Sequence, residues 1–186
     1  IVRESLKAEN TEATQQAHQR AARFYREQKR IPNPRQIDDL ADVLEWHHHA
    51  CMAGKVADAY QAIFSTGLMD QLKQWNEFTL SAELCENIYS RIQPQSNLLT
   101  HADWIQLNHR LGVIYFLLGK YTQSIEHLQS AVEILTEADP PNLRARLLID
   151  LAESLGIQGD LTRAMQLCEQ GVVVLQSGLD YAKALC

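Results

Sequence analysis

A block of this chain recurs forty residues further on, and that recurrence limits the folds open to it more than any other feature. The block runs Leu111-Gly112-Val113-Ile114-Tyr115, then Gly119-Lys120-Tyr121, then Ile125, Leu128, Ala131, Val132 and Ile134. Moved forward by 40, Leu151 falls under Leu111, Leu155 under Tyr115, Gly159 under Gly119, Leu161 under Tyr121 and Gly171 under Ala131. Each copy holds two amphipathic segments with a glycine between them. One such pair cannot bury its apolar stripe alone. Stacked pairs bury a continuous core, so a fixed period of this length predicts an array of helix pairs.

Two looser copies precede it. One is Trp46, Ala50, Gly54-Lys55-Val56, Ala59 and Ile63. The other is Leu72, Asn76-Glu77-Phe78, Ser81 and Cys85, with Asn76 where the others have glycine. Asparagine suits that place because it tolerates left-handed backbone better than most non-glycine residues. Spacings of three and four put Leu107, Leu111, Ile114, Tyr115 and Leu118 on one stripe, and Tyr121, Ile125, Leu128, Val132 and Leu135 on another. Breaks are expected at Pro32 and Pro34, at Pro94 with Gln95-Ser96-Asn97, and at Asp139-Pro140-Pro141-Asn142. The second proline of the last run suits the first turn of a new helix. A first helix is predicted over about 10–29. No segment reads as strand, and Val172-Val173-Val174 reads as helix from its place in the repeat. Small residues such as Gly112, Ala131, Ala59, Ala152 and Ala164 are expected to let helices approach closely. The expected fold is all-α, a right-handed solenoid of antiparallel helix pairs.

Eight glycines and five prolines in 186 residues fit helices better than a sandwich or barrel. No apolar run is long enough to span a membrane. The four cysteines, Cys51, Cys85, Cys168 and Cys186, form no C-x-x-C pair and read as small core residues in a reducing compartment. The net charge of −6 is uneven. Residues 1–35 carry eight Lys/Arg against four Asp/Glu, or +4; residues 36–186 carry nine against nineteen, or −10. An acidic body of this kind repels nucleic acid. The basic run Arg20, Arg23, Arg26, Lys29 and Arg30 reads either as a solvated face or as a dock for an acidic neighbouring domain.

Leu111-Gly112-x-x-Tyr115-x-x-x-Gly119-x-Tyr121, with Ser124, Leu128 and Ala131, resembles the tetratricopeptide repeat. The departures are Asn108 where that motif favours Trp, Ser124 where it favours Ala, Leu128 where it favours an aromatic and Thr136 where it favours Pro. The copy over 145–178 follows the motif less closely, and those over 40–92 less closely again. The resemblance implies a protein-binding module without catalysis or cofactor.

A second resemblance concerns Val2-Arg3-Glu4 with Ala17-His18-Gln19-Arg20-Ala21-Ala22-Arg23-Phe24-Tyr25, and Leu44 to Gly54. Both stretches look like the junction after the winged-helix region in bacterial signal-transduction NTPases of the STAND class. That resemblance implies a cytoplasmic sensor array, residues 37–186, behind a helical junction, residues 1–36. Nucleotide hydrolysis would then lie in a domain upstream of Ile1. The alternative is a free-standing peptide receptor or assembly scaffold. The apolar end from Leu179 to Cys186 suggests a piece of a longer array, able to self-associate.

Three motifs could carry chemistry. Gly112 to Gly119-Lys120 lacks the spacing and the Ser/Thr of a phosphate-binding loop. His47-His48-His49 with Cys51 places His47 and Cys51 four apart on one helical face. Adjacent histidines diverge around a helix, and two ligands fall short of a zinc site, so no metal is assigned. Periodicity puts His49 on the packed side, His48 toward the groove and His47 between. Cys51 beside His47 or His48 is a conceivable nucleophile and base without an orienting third group. The carboxylate pairs Glu83/Glu86 and Asp150/Glu153 have the spacing that solvated helix faces produce constantly. No catalytic residue is assigned.

The better candidate is the surface left by the first helix of each pair. The residues off the packing stripe are Leu44, His48 and Met52 in one copy and Gln106, His109, Val113 and Phe116, with Leu117, in the next. In the last copy they are Arg146, Ile149 and Glu153, with Asp150. Apolar anchors beside polar groups suit a protein or peptide ligand. Phe116 could instead pack beneath a neighbouring repeat, and Arg146 and Glu153 could pair across helices.

Overall fold

The computed structural model describes the backbone of residues 2–92 and 98–184, and the side chains of 11–92 and 98–176. The break expected over 94–97 and the side chains of the end over 179–186 lie outside those residues. Every regular element among the described residues is helical. The chain divides into two compact units, residues 1–99 and 100–186.

The first unit holds α1 (Val2–Arg26), a single 3-10 turn (Ile37–Leu40), α2 (Ala41–Met52), α3 (Val56–Phe64), α4 (Leu68–Gln74) and α5 (Phe78–Tyr89). Helix α1 starts earlier than the sequence pattern indicates. It packs on α2, so the junction segment expected over residues 1–36 contributes its helix to this unit. The core is built from Val43, Trp46 and Ala50 of α2, Ala59, Ala62 and Ile63 of α3, Leu72 of α4, and Leu84, Cys85 and Ile88 of α5.

The second unit holds α6 (His101–Leu117), α7 (Tyr121–Glu133), α8 (Pro141–Gln158) and α9 (Leu161–Ala184). Ile105, Leu128, Leu147, Leu151 and Leu155 pack with Ala131, Ala152 and Ala164 in one cluster. Helix α6 begins at a capping box: Asp103 N–H donates to Thr100 Oγ1 at 3.2 Å, and Thr100 N–H donates to Asp103 Oδ2 at 3.3 Å. Pro141 opens α8 as its composition predicts.

The four joints are alike. Gly54, Gly119 and Gly159 take φ of 68°, 73° and 101°, and Asn76 takes 60°. At each, the following N–H reaches five residues back: Lys55 to Ala50 (2.9 Å), Glu77 to Leu72 (2.9 Å), Lys120 to Tyr115 (2.8 Å) and Asp160 to Leu155 (3.0 Å). That bond satisfies a carbonyl left over at the end of the first helix, and it requires left-handed backbone at the preceding residue. Four residues on, Ala59, Ser81, Ser124 and Ala164 are buried, small residues at the same place in the second helix of each pair.

Candidate functional site

Ten residues were singled out by the sequence, and the structure places three on α2 of the first unit. His48 and Met52 are exposed and Leu44 is half-buried. The histidine triplet, however, is not arranged as periodicity suggests. His47 is the buried one, at 2% exposure, and His49 is half-buried. The reason is that α2 has two packed sides. His47 Nδ1 donates to the Ala59 carbonyl of α3 at 3.1 Å, and its Nε2 accepts from the Cys51 thiol at 3.6 Å. His49 turns to α1, with its Nδ1 2.7 Å from His18 Nδ1 and its ring stacked on Tyr25 at 5.7 Å. Its Nε2 lies 3.6 Å from Glu45.

These environments settle the chemistry of the Cys51–His47 pair. Burial pushes the Cys51 thiol up to about 11 and holds His47 below its ordinary value. The pair is therefore a neutral thiol on a neutral imidazole, the opposite of an activated thiolate. Among the described residues no group of three or more His, Cys, Asp or Glu is placed to hold a metal.

The other seven residues lie in the second unit, on α6 and α8. Gln106, Arg146, Ile149 and Glu153 are exposed; His109, Val113 and Phe116 are half-buried. Two contacts tie this surface together. His109 Nε2 donates to Asp150 Oδ2 at 2.6 Å, joining α6 to α8. Phe116 meets Tyr121 of its own repeat edge-on, with ring centroids 5.7 Å apart, and keeps part of its face open. Ile149 rests its Cγ1 toward Gly171 of α9 while staying 41% exposed. Neither Arg146 nor Glu153 has an ion-pair partner among the described residues, so neither forms a cross-helix bridge there. Both charges stand open to solvent on either side of the His109–Asp150 bond.

The sequence reading missed that bond. His109 and Asp150 are 41 apart, one repeat plus one residue, so the spacing itself was a usable signal. It also left Asn108 unexplained. That residue is fully buried where the repeat motif has Trp. Its Nδ2 donates to the Trp104 carbonyl at 3.0 Å, and its Oδ1 lies 3.2 Å from His127 Nδ1. His127 stacks on Tyr115 at 5.6 Å and 15°. A side-chain amide and an imidazole thus fill the slot that one indole would occupy.

Paired antiparallel helices, left-handed joints and small residues at fixed offsets define a helical-repeat protein. Residues 105–176, which lie within the second unit, match the family model of the tetratricopeptide repeat. No curated protein matches the chain. Among solved structures, a crystal structure of a variant form of the nearly identical, kinesin light chain-type TPR-like repeats from Podosopora anserina is similar in fold. It is 17% identical, covering 96% of this chain and 97% of that one, with a TM-score of 0.51. A companion structure of those repeats is 16% identical over 94% of this chain and 92% of that one, at a TM-score of 0.48. Repeats of this kind generally mediate protein–protein interaction and are generally non-catalytic. No helix among the described residues is long and apolar enough to cross a membrane.

Proposed function

We propose that the α6–α8 surface binds a peptide segment of a partner protein. The observation that carries this reading is the open Arg146 and Glu153 charges beside half-buried Val113 and Phe116. Apolar groups partly in water supply an anchor, and unpaired charges of both signs fix the direction of a bound segment. The His109–Asp150 bond holds the two helices in register beneath it.

Selection of a displayed peptide library on the whole chain tests the proposal. Enriched peptides are expected to lose about tenfold in affinity with Arg146→Glu or Phe116→Ala, a loss near 1.4 kcal/mol. Peptides whose binding ignores both substitutions would overturn the assignment.

The wider setting we propose is the sensor region of a bacterial, cytoplasmic signal-transduction NTPase. The support is the likeness of Val2-Arg3-Glu4, of residues 17–25 and of residues 44–54 to the junction segment of those proteins. A ligand on the repeats would act by binding one state of the larger protein more tightly than the other. The reading frame upstream of Ile1 decides it. A phosphate-binding loop followed by a winged helix supports the sensor role. An unrelated domain there sinks it and leaves a peptide receptor or scaffold.

A further inference from the structure

Helix α1 and the joint between α2 and α3 enclose an open recess of about 650 Å³ within the first unit. Its charged lining is one-sided. Arg20, Arg23, Arg26 and Lys55 face a single carboxylate, Asp58. Arg26 Nη1 lies 3.3 Å from Asp58, which neutralises that acid. Arg23 meets Glu27 at 3.7 Å, with both side chains more than two-thirds exposed, so water screens that pair. Arg20 and Lys55 have no partner among the described residues. Three positive charges in excess are therefore held in one concavity on a chain whose total charge is −6.

The position of these groups follows from the fold. The arginines recur every third residue of α1, which places them along a stretch of roughly 9 Å. Packing of Ala22, 2% exposed, seats that face of the helix. Arg26 and Arg30 lie over the Trp46 ring, 5.7 and 5.3 Å from its centroid, and anchor the end of the row. Lys55 is presented by the turn that Gly54 makes possible.

The lining also states what is recognised. Guanidinium groups bind carboxylates in a two-pronged geometry, and Gln16 and Gln19 at the rim can both donate to and accept from a peptide backbone. The lining residues include no aromatic ring on which a base could stack. The row is about as long as two or three residues of extended chain. We infer that this recess is a second binding site, separate from the α6–α8 surface, and that it takes an acidic peptide segment rich in Asp and Glu.

A fluorescein-labelled peptide of alternating Glu and Ser, titrated with the whole chain and followed by anisotropy, tests this. The control peptide carries Gln for every Glu. The Glu peptide should bind, and the Gln peptide should not. Raising the salt from about 50 to about 200 mM should weaken binding severalfold, because the attraction is between partly exposed charges. Arg20→Gln with Lys55→Gln should lower the affinity about tenfold, since the pair removes two of the charge-assisted contacts. Neither side chain has a partner among the described residues, so the thermal melt should not move. Lys73→Gln, on the exposed side of α4, should change nothing. Equal binding of the two peptides, or equal loss with Lys73→Gln, would overturn the site. Tripolyphosphate binding that the double variant abolishes, with no binding of the Glu peptide, would overturn the peptide assignment.

Discussion

Gly112 sits directly against Leu128. A Cβ built on that glycine would lie 2.5 Å from Leu128 Cγ and 2.8 Å from its Cδ2, with the Ser124 carbonyl at 3.2 Å. Helices α6 and α7 are as close as they are because nothing stands there. Gly112→Ala is therefore expected to destabilise the second unit by about 1–3 kcal/mol. Leu128→Ala alone should cost about 2–5 kcal/mol by opening a cavity. The double variant should cost less than the sum, because the added methyl enters the vacated space. Urea unfolding of the three variants gives the coupling directly. Strict additivity would mean that the two residues are not in contact.

Asn108 offers a second test. Asn108→Ala removes the bond to His127 and the second, side-chain donor to the Trp104 carbonyl. A loss of about 1–3 kcal/mol is expected from the two lost buried bonds. Asn108→Asp should be worse, since a carboxylate cannot donate to a carbonyl. A stable Asn108→Asp variant with an unshifted melt would show that the amide bridge does not hold the helix.

The first unit should weaken in mild acid. Burial lowers the proton affinity of His47, and burial with the neighbouring His48 and His18 lowers that of His49. A base with a lowered folded value leaves stability untouched above its unfolded value, near 6.5, and costs stability as the pH falls below it, because only the unfolded chain takes the proton freely. Chemical denaturation at about pH 7.5 and about pH 5.5 should show the loss, in a direction fixed by linkage. His47→Gln with His49→Gln should flatten the dependence. An unchanged midpoint across that range would contradict the neutral pair.

Thiol reactivity should separate the cysteines. Cys168 is exposed, whereas Cys51 and Cys85 are buried and Cys51 is pushed up to about 11. Of these three cysteines, iodoacetamide at neutral pH should alkylate Cys168 first and leave Cys51 and Cys85 until the chain unfolds. Peptide mapping of the native, alkylated chain checks this. Early labelling of Cys51 would revive a reactive-thiol role.

Much of this architecture could be read from the residues because its strongest signals are local. Left-handed backbone at Gly54, Asn76, Gly119 and Gly159 depends on one residue's own sterics, so the joints were visible without any tertiary information. The exposure of Gln106, Arg146, Ile149 and Glu153 follows for a similar reason, since a stripe of period 3.6 leaves its complement in water, whereas His109, Val113 and Phe116 of the same complement are half-buried. What failed was the placement of particular polar side chains against a second element. His47 was read as lying between two faces because the pattern cannot say that α2 is packed by α1 on one side and by α3 on the other. The His109–Asp150 bond and the amide filling behind Asn108 each join two helices. The recess behind Arg20 depends on a turn thirty-five residues away at Lys55.

The bonds from Lys55, Glu77, Lys120 and Asp160 each close within their own helix pair, and none borrows an atom from a neighbouring pair. The joints are thus interchangeable parts. A lineage could add or delete whole pairs, or lengthen the connectors between them, without redesigning a single corner. Asn76 marks how far such a corner can drift from glycine and still turn.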